Sequence, residues 1–171
     1  SKKVLDVNGW FNTGDLGMLL ADGSLILTGR AKDTIVLSSG ENIEPGPLEE
    51  ALIASPLIEQ AFLLGQDQKQ LAALIVPRID YLKGWLAERG LNSQIVLGFC
   101  SENLELRQTL RIEMNKILSH RYGSRREERL FSIGLVDPFT MENGLLTQTL
   151  KQKREKIIQR DLKIINEIYN I

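Results

Sequence analysis

A chain of 171 residues with 43% hydrophobic content can bury one good core, or one core and a short appendage. Its 21 lysines and arginines nearly cancel 22 aspartates and glutamates, so the net charge of -1 leaves no overall footprint for nucleic acid or a charged membrane surface. One cysteine, Cys100, and one histidine, His120, exclude an internal disulfide and cannot between them build a structural zinc site.

Ser1 to Trp10 offers no helix or strand of its own and reads as a start cut from a longer chain; Ser1-Lys2-Lys3 does not resemble a signal peptide. Two apolar runs follow, Met18-Leu19-Leu20 and Leu25-Ile26-Leu27, joined through Asp22-Gly23, a dipeptide that predicts a two-residue hairpin turn. Asp15 stands where the first strand begins and Arg30 directly after the second. A carboxylate and a guanidinium are therefore expected at the two ends of one ribbon. Such a pair suits vicinal hydroxyls, as on a ribose, because aspartate accepts hydroxyl protons and arginine donates to oxygens.

Thr34 to Leu37 reads as a short buried strand, Ser38 to Asn42 as a loop, and Pro45 to Ala54 as a helix stopped by Ser55-Pro56. Two strands follow, Ile58 to Leu64 and Leu71 to Val76, made antiparallel neighbours by the polar turn Gly65 to Gln70. Asp80 is the expected N-cap of a helix to Arg89, with Gly90 as its stop. Leu106, Leu110, Met114, Ile117 and Leu118 recur at helical spacing. Leu130 to Val136 reads as a last strand, and Ile157, Ile158, Leu162, Ile165 and Ile168 as the stripe of one terminal helix. The class is α+β: an N-terminal β-hairpin plus a small mixed sheet of about three to five strands flanked by helices. No apolar run approaches the roughly 20 residues that span a bilayer. The cysteine usage fits a cytoplasmic protein, compatible with peripheral membrane association at full length.

Three stretches carry more than pattern. WFNTGDLG (Trp10 to Gly17), LTGRAKD (Leu27 to Asp33) and SSGENIEP (Ser38 to Pro45) resemble the junction region of the adenylate-forming enzymes: acyl-CoA synthetases, luciferases and the adenylation domains of peptide synthetases. ENGLLTQTLKQKR (Glu142 to Arg154) resembles the lysine-bearing segment of the long-chain acyl branch. The wording DTIVLSSGENIEP and LLGQDQKQLAALIVP is most similar to the cyanobacterial type of acyl-acyl-carrier-protein synthetase. The resemblance covers essentially the whole chain. It implies that residues 1–31 end a large-domain segment with the hairpin and junction, and that 32–171 form the mobile C-terminal domain. The large N-terminal domain, with its Gly/Ser/Thr-rich phosphate loop and acyl tunnel, is absent from this sequence.

The resemblance also implies roles. Asp15 and Arg30 would hold the ribose hydroxyls of ATP and of the acyl-adenylate, although a strand-start aspartate often makes only backbone contacts. Lys32 would be the hinge about which the domain swings between two poses, where an exposed polar residue can absorb a large φ/ψ change. Ser39, Gly40 and Glu41 would line the path of the phosphopantetheine arm. Some superfamily members carry a second lysine six positions after the arginine; here Val36 stands there, and that lysine's role does not transfer. Lys151 would sit between carboxylate and α-phosphate as pyrophosphate leaves. Sequence alone does not single it out from Lys153, Arg154 and Lys156. His120 and Cys100 have no partner pattern for nucleophilic catalysis.

The implied function is an ATP-dependent fatty acid–thiol ligase: an acyl-adenylate forms, then a thioester to the phosphopantetheine of acyl carrier protein. Mg²⁺ would accompany ATP, held mainly by the absent domain. Arg107, Arg111, Lys116, Arg121, Arg125, Arg126 and Arg129 form a basic segment that reads equally as a solvated face or as a carrier-protein dock, with Arg121, Arg125 and Arg126 as its candidate contacts. The alternatives are a long-chain fatty acid–CoA ligase and, in another class, a non-catalytic partner-binding module of the same fold. Neither reading involves nucleic acid.

Overall fold

The computed structural model describes residues 9–91, 95, 97–99 and 101–170. The first elements are the expected hairpin, β1 (Asp15–Leu19) antiparallel to β2 (Leu25–Arg30). Its turn corrects the expectation. Leu20 N–H donates to Ser24 O and Gly23 N–H to Leu20 O, so three residues close the hairpin, Ala21-Asp22-Gly23. A two-residue type I′ turn needs positive φ at both central positions, whereas here Gly23 alone takes it, at +84°. The Asp22 carboxylate instead accepts the Ser24 hydroxyl at 2.7 Å and its N–H at 2.9 Å, which holds the carboxyl below its ordinary range. Met18, Leu19, Leu25, Ile26 and Leu27 leave this ribbon apolar and exposed.

The strand expected over Thr34 to Leu37 shrinks to β3 (Ile35–Val36), paired with an unforeseen β4 (Asn42–Ile43). The chain folds back too soon for more: Leu37 N–H donates to Glu41 O and Gly40 N–H to Leu37 O. Helix α1 (Pro45–Ile53) follows, with prolines in the first turn, where no helical N–H is required. Leu48 and Leu52, four apart, are buried.

The main sheet has the order β5 (Ile58–Leu64), β6 (Leu71–Pro77), β7 (Leu130–Leu135). β5 is antiparallel to β6, and β7 parallel to it after a crossover through α2 (Ile79–Ala87) and α3 (Leu104–Ser119). Every residue of β6 is buried, as a central strand covered on both faces must be. Ala73 and Ile75 join the core under α1, α2 and α3, beside Leu52, Leu86, Leu110 and Met114. Ala72 and Leu74 face the opposite core, with Phe62, Phe139, Ile157 and Ile168. The helix to Arg89 begins at Ile79, so Arg78 occupies the N-cap and Asp80 the first turn.

The single terminal helix is in fact two, α4 (Arg154–Arg160) and α5 (Leu162–Tyr169), broken at Asp161 (φ -100°, ψ 17°). Arg160 explains the break. It pairs with Asp161 at 2.7 Å and donates to the carbonyls of Asp137 and Pro138 at 3.0 and 3.1 Å, pinning the junction. No helix among the described residues is long and apolar enough to cross a membrane. The fold is α+β.

Candidate functional site

Asp15 and Arg30 are direct cross-strand partners at the open end of the β1–β2 ribbon, not at opposite ends of it. Arg30 Nε lies 3.1 Å from Asp15 Oδ1, with both side chains part-exposed. Gly14 and Asp15 are set by local side chains: Asn12 Oδ1 accepts Gly14 N–H at 2.9 Å and Thr13 Oγ1 accepts Asp15 N–H at 3.1 Å. Polar edges on both groups thus remain available to a ligand. Lys32 follows in an exposed 3-10 turn, Ala31–Asp33.

Lys151 is presented by a tight turn between Leu146 and Gln152, which form an antiparallel bridge. Lys151 N–H donates to Thr147 Oγ1 at 3.0 Å, Thr147 N–H to Lys151 O at 2.9 Å, and Leu150 between them adopts φ 59°. That left-handed conformation is strained for leucine. The flanking side chains are tied down. Gln152 Nε2 donates to Ala61 O at 3.0 Å, and Arg154 reaches Glu49 at 2.9 Å and Leu63 O at 2.6 Å. The Lys151 ammonium is exposed and has no side-chain partner among the described residues. Structure thereby removes Arg154 from the basic cluster as an anchor, while Lys151 shares with Lys153 and Lys156 the lack of a side-chain partner among the described residues.

Arg30, Lys32 and Lys151 line one cavity of about 900 Å³, together with Lys153, Arg154 and Lys156. Asp33 and Glu155 are the acidic residues on its wall, so cations outnumber anions. Tyr169 closes one side; burial pushes its phenol far above the ordinary tyrosine range, so it serves only as a neutral hydroxyl.

The Ser39-Gly40-Glu41 loop lies elsewhere. Gly40 takes φ +87°, as a tight loop glycine should, and Ser38 N–H donates to Gln68 O at 2.9 Å. Ser39 lines a second groove of about 740 Å³ that shares no residue with the first. Its rim carries Lys69, Arg126 and Arg129, whose side chains have no partner among the described residues. The turn between β5 and β6 separates the two concavities: Gly65, Gln66 and Gln68 face the first, Lys69 and Gln70 the second.

The candidate docking arginines are not equivalent. Arg121 pairs with the largely buried Glu128 at 2.9 Å. Arg125 also reaches Glu128, at 3.3 Å, and clamps the Ser39–Glu41 loop through Glu41 at 3.4 Å and Asn42 O at 2.8 Å. Arg126 alone of the three faces the groove. Arg107 is buried over the Phe99 ring, 3.7 Å from its centroid, and belongs to no surface patch. Lys69 was not brought forward by the sequence reading, and Arg129 was placed in the basic segment without being picked among its candidate contacts. His120 sits at the C-cap of α3 with Nδ1 2.6 Å from Lys116 O. Cys100 and the opening stretch Ser1 to Asn8 lie outside the described residues.

Comparison with known proteins adds four findings. The family described as AMP-binding enzyme C-terminal domain matches residues 32–124. The chain is 35% identical to Long-chain-fatty-acid--[acyl-carrier-protein] ligase AEE15, chloroplastic, of Arabidopsis thaliana, over 99% of this chain and 23% of that protein. It is equally 35% identical to Long-chain-fatty-acid--CoA ligase FadD15 of Mycobacterium tuberculosis, over 95% of this chain and 27% of that protein. Among solved structures, the A domain of carboxylic acid reductase from Segniliparus rugosus, in complex with AMP and a co-purified carboxylic acid, superimposes with a TM-score of 0.80 at 27% identity. That match covers 99% of this chain and 25% of the other. The chain spans about a quarter of the length of the curated relatives it matches.

Proposed function

The chain belongs to the AMP-binding enzyme C-terminal domain family, and from that premise we propose that it is the mobile C-terminal part of an ATP-dependent fatty acid–thiol ligase. Residues 1–31 carry the end of the large domain and the junction, and 32–171 the part that moves; the start of the family match at residue 32 supports that division. The exposed apolar ribbon of β1 and β2 supports a seat against the enzyme's own N-terminal domain.

In the first half-reaction a fatty acid carboxylate oxygen attacks the α-phosphorus of ATP; the acyl–phosphate bond forms and pyrophosphate leaves. Asp15 accepts ribose hydroxyls while Arg30 donates to ribose oxygens. Lys151, a compact charge on a long mobile stem, neutralises the charge that builds between carboxylate and α-phosphate. In the second, the phosphopantetheine sulfur attacks the acyl carbon, AMP leaves with the electron pair of the broken C–O bond, and the thiol proton goes to solvent. Ser39, Gly40 and Glu41 line the approach of that thin arm. ATP brings Mg²⁺ with it. In this reading the ion is held mainly by the large domain, and the described residues contain no group of three or more His, Cys, Asp or Glu that could hold a metal ion.

The observation that carries this reading is the shared cavity. Arg30 and Lys151 stand far apart in the chain, yet both line one cation-rich concavity, while Ser39 lines another. We take acyl carrier protein as the thiol partner; CoA is the second reading, carried by the equal identity to FadD15. A non-catalytic module would have no use for Asp15, Arg30 and Lys151 together. The single-cysteine composition supports a cytoplasmic or comparably reducing location.

The test is Lys151→Ala in the full-length protein. Adenylation, followed by pyrophosphate exchange, is expected to fall about a hundredfold to a thousandfold, the scale of losing one preorganised charge contact. Thioester formation from supplied acyl-adenylate is expected to survive. Equal loss in both half-reactions would remove Lys151 from this role.

A further inference from the structure

Glu44 takes no part in the steps above, yet it holds the most unusual polar atom among the described residues. It precedes α1 at the N-cap position without capping the helix. Oε1 accepts the Thr34 hydroxyl at 2.7 Å, and that hydroxyl lies 3.4 Å from Arg30 O. Oε2 is buried and has no hydrogen-bond partner among the described residues. It rests against Gly29, where any Cβ would come within 2.5 Å of it. One carboxylate from the α1 side therefore touches both flanks of the segment that carries Arg30 and Lys32.

Burying a carboxylate oxygen with no donor is costly, and an apolar or neutral residue of the same shape would cost less. The cost concentrates at the one segment that must move if the domain swings, and burial of this kind is stable only while the surrounding contacts enforce it. We propose that Glu44 is a positioning residue for the swing: a latch that clasps Gly29 and Thr34 in the pose seen here and releases as its carboxylate regains water. The proposal rests on the two-pose reading of Lys32. Glycine at 29 is then the residue that admits the latch, and Thr34 the donor that closes it.

Two variants of the full-length ligase push the latch in opposite directions. Glu44→Gln keeps an acceptor for Thr34 and removes the buried charge, so it favours the clasped pose. Thr34→Val deletes the clasping hydroxyl and disfavours that pose. The ratio of the two half-reaction rates is expected to move about tenfold in opposite senses, the scale of one buried hydrogen-bonding group. The thermal midpoint of Glu44→Gln is expected to hold or rise. An unchanged ratio in Glu44→Gln, a shift in the same sense for both variants, or a lowered midpoint for Glu44→Gln would overturn the latch. If Thr34→Val does not fold, the ratio and midpoint of Glu44→Gln decide alone. Lys32→Pro separates the two levels. Normal turnover in that variant refutes the two-pose reading itself; a trapped Lys32→Pro beside an unmoved Glu44→Gln refutes only the latch.

Discussion

Replacing Arg154 with alanine tests whether the basic cluster after Thr147 divides into an anchor and a free charge. The guanidinium donates to Leu63 O at 2.6 Å and to Glu49 Oε1 at 2.9 Å, and its carbon lies 4.1 Å from the centroid of the Phe62 ring. Glu49 Oε1 in turn accepts Leu63 N–H at 2.8 Å. A hydrogen bond from a charged donor contributes about 1.5–3 kcal/mol, and a guanidinium over a buried ring about 1–2 kcal/mol. Unpairing a fully buried ion costs about 3–5 kcal/mol. The side chains here are 20% and 16% exposed, so solvent takes part of that. These contributions overlap, which leaves a net loss of about 3 kcal/mol on the scale of measured mutations. At roughly 2–4 °C per kcal/mol for a chain of this size, the midpoint should fall about 6–12 °C. Thermal melts followed by circular dichroism, with urea unfolding to check that the m-value is unchanged, would measure it. Lys151→Ala, at an exposed and unpaired site, should stay within about 0.5 kcal/mol of the parent. An Arg154→Ala chain melting with the parent, or a Lys151→Ala chain melting as low as Arg154→Ala, would refute the division.

Lys32→Pro fixes φ near -65° in the junction turn, so pyrophosphate exchange should persist while thioester product disappears, read by separate assays of the two half-reactions. Arg126→Glu combined with Arg129→Glu should raise the apparent KM for carrier protein and leave adenylation intact, with a defect that shrinks as ionic strength rises; a salt-independent defect, or none, would deny the groove a docking role. Arg125 is unsuitable for that experiment, because reversing it would also unfasten the Glu41 loop. The 171-residue chain alone should bind ATP too weakly for calorimetry, since on the proposed reading Asp15 and Arg30 hold only the ribose and the adenine and phosphate contacts lie in the large domain.

Much of the fold was legible because its signals are local. The alternating and continuous apolar runs of β5 and β6, the prolines of α1 and the stripe of α3 each act over one element. What was missed depends on distance. Asp161 breaks the terminal helix because Arg160 reaches the carbonyls of Asp137 and Pro138, more than twenty positions away, and no helical periodicity records that. β4 exists because the chain turns back between Leu37 and Glu41 and so sets Ile43 opposite Ile35. The site divides in the same way. Asp15 and Arg30 were singled out from the hairpin pattern, but that reading set them at opposite ends of the ribbon and missed that the two strand termini pair directly at its open end. Lys151 and Arg154 have the same charge three positions apart, and only the position of Glu49, 105 residues upstream of Arg154, tells anchor from free ammonium.

The β5–β6 turn gives the architecture its functional logic. It is short, it is tied to the Ser39 loop through Ser38 and Gln68, and its two flanks form walls of different concavities. If Lys151 serves phosphate chemistry on one side of that turn and the Ser39 loop serves the thiol arm on the other, as proposed, the two concavities, which share no residue, would not meet a single reaction centre at once. Alternation by rotation would satisfy this geometry without remodelling either concavity, and the proposed hinge, Lys32, lies in an exposed turn. Glu44 lies where a restraint on such a rotation would have to act: on the body side, against the residues just before and just after the turn. On the proposed reading, chemistry on one face, acceptor on the other and a clasp at the pivot would all follow from one arrangement, so the ratio of half-reaction rates is the quantity that tests all three.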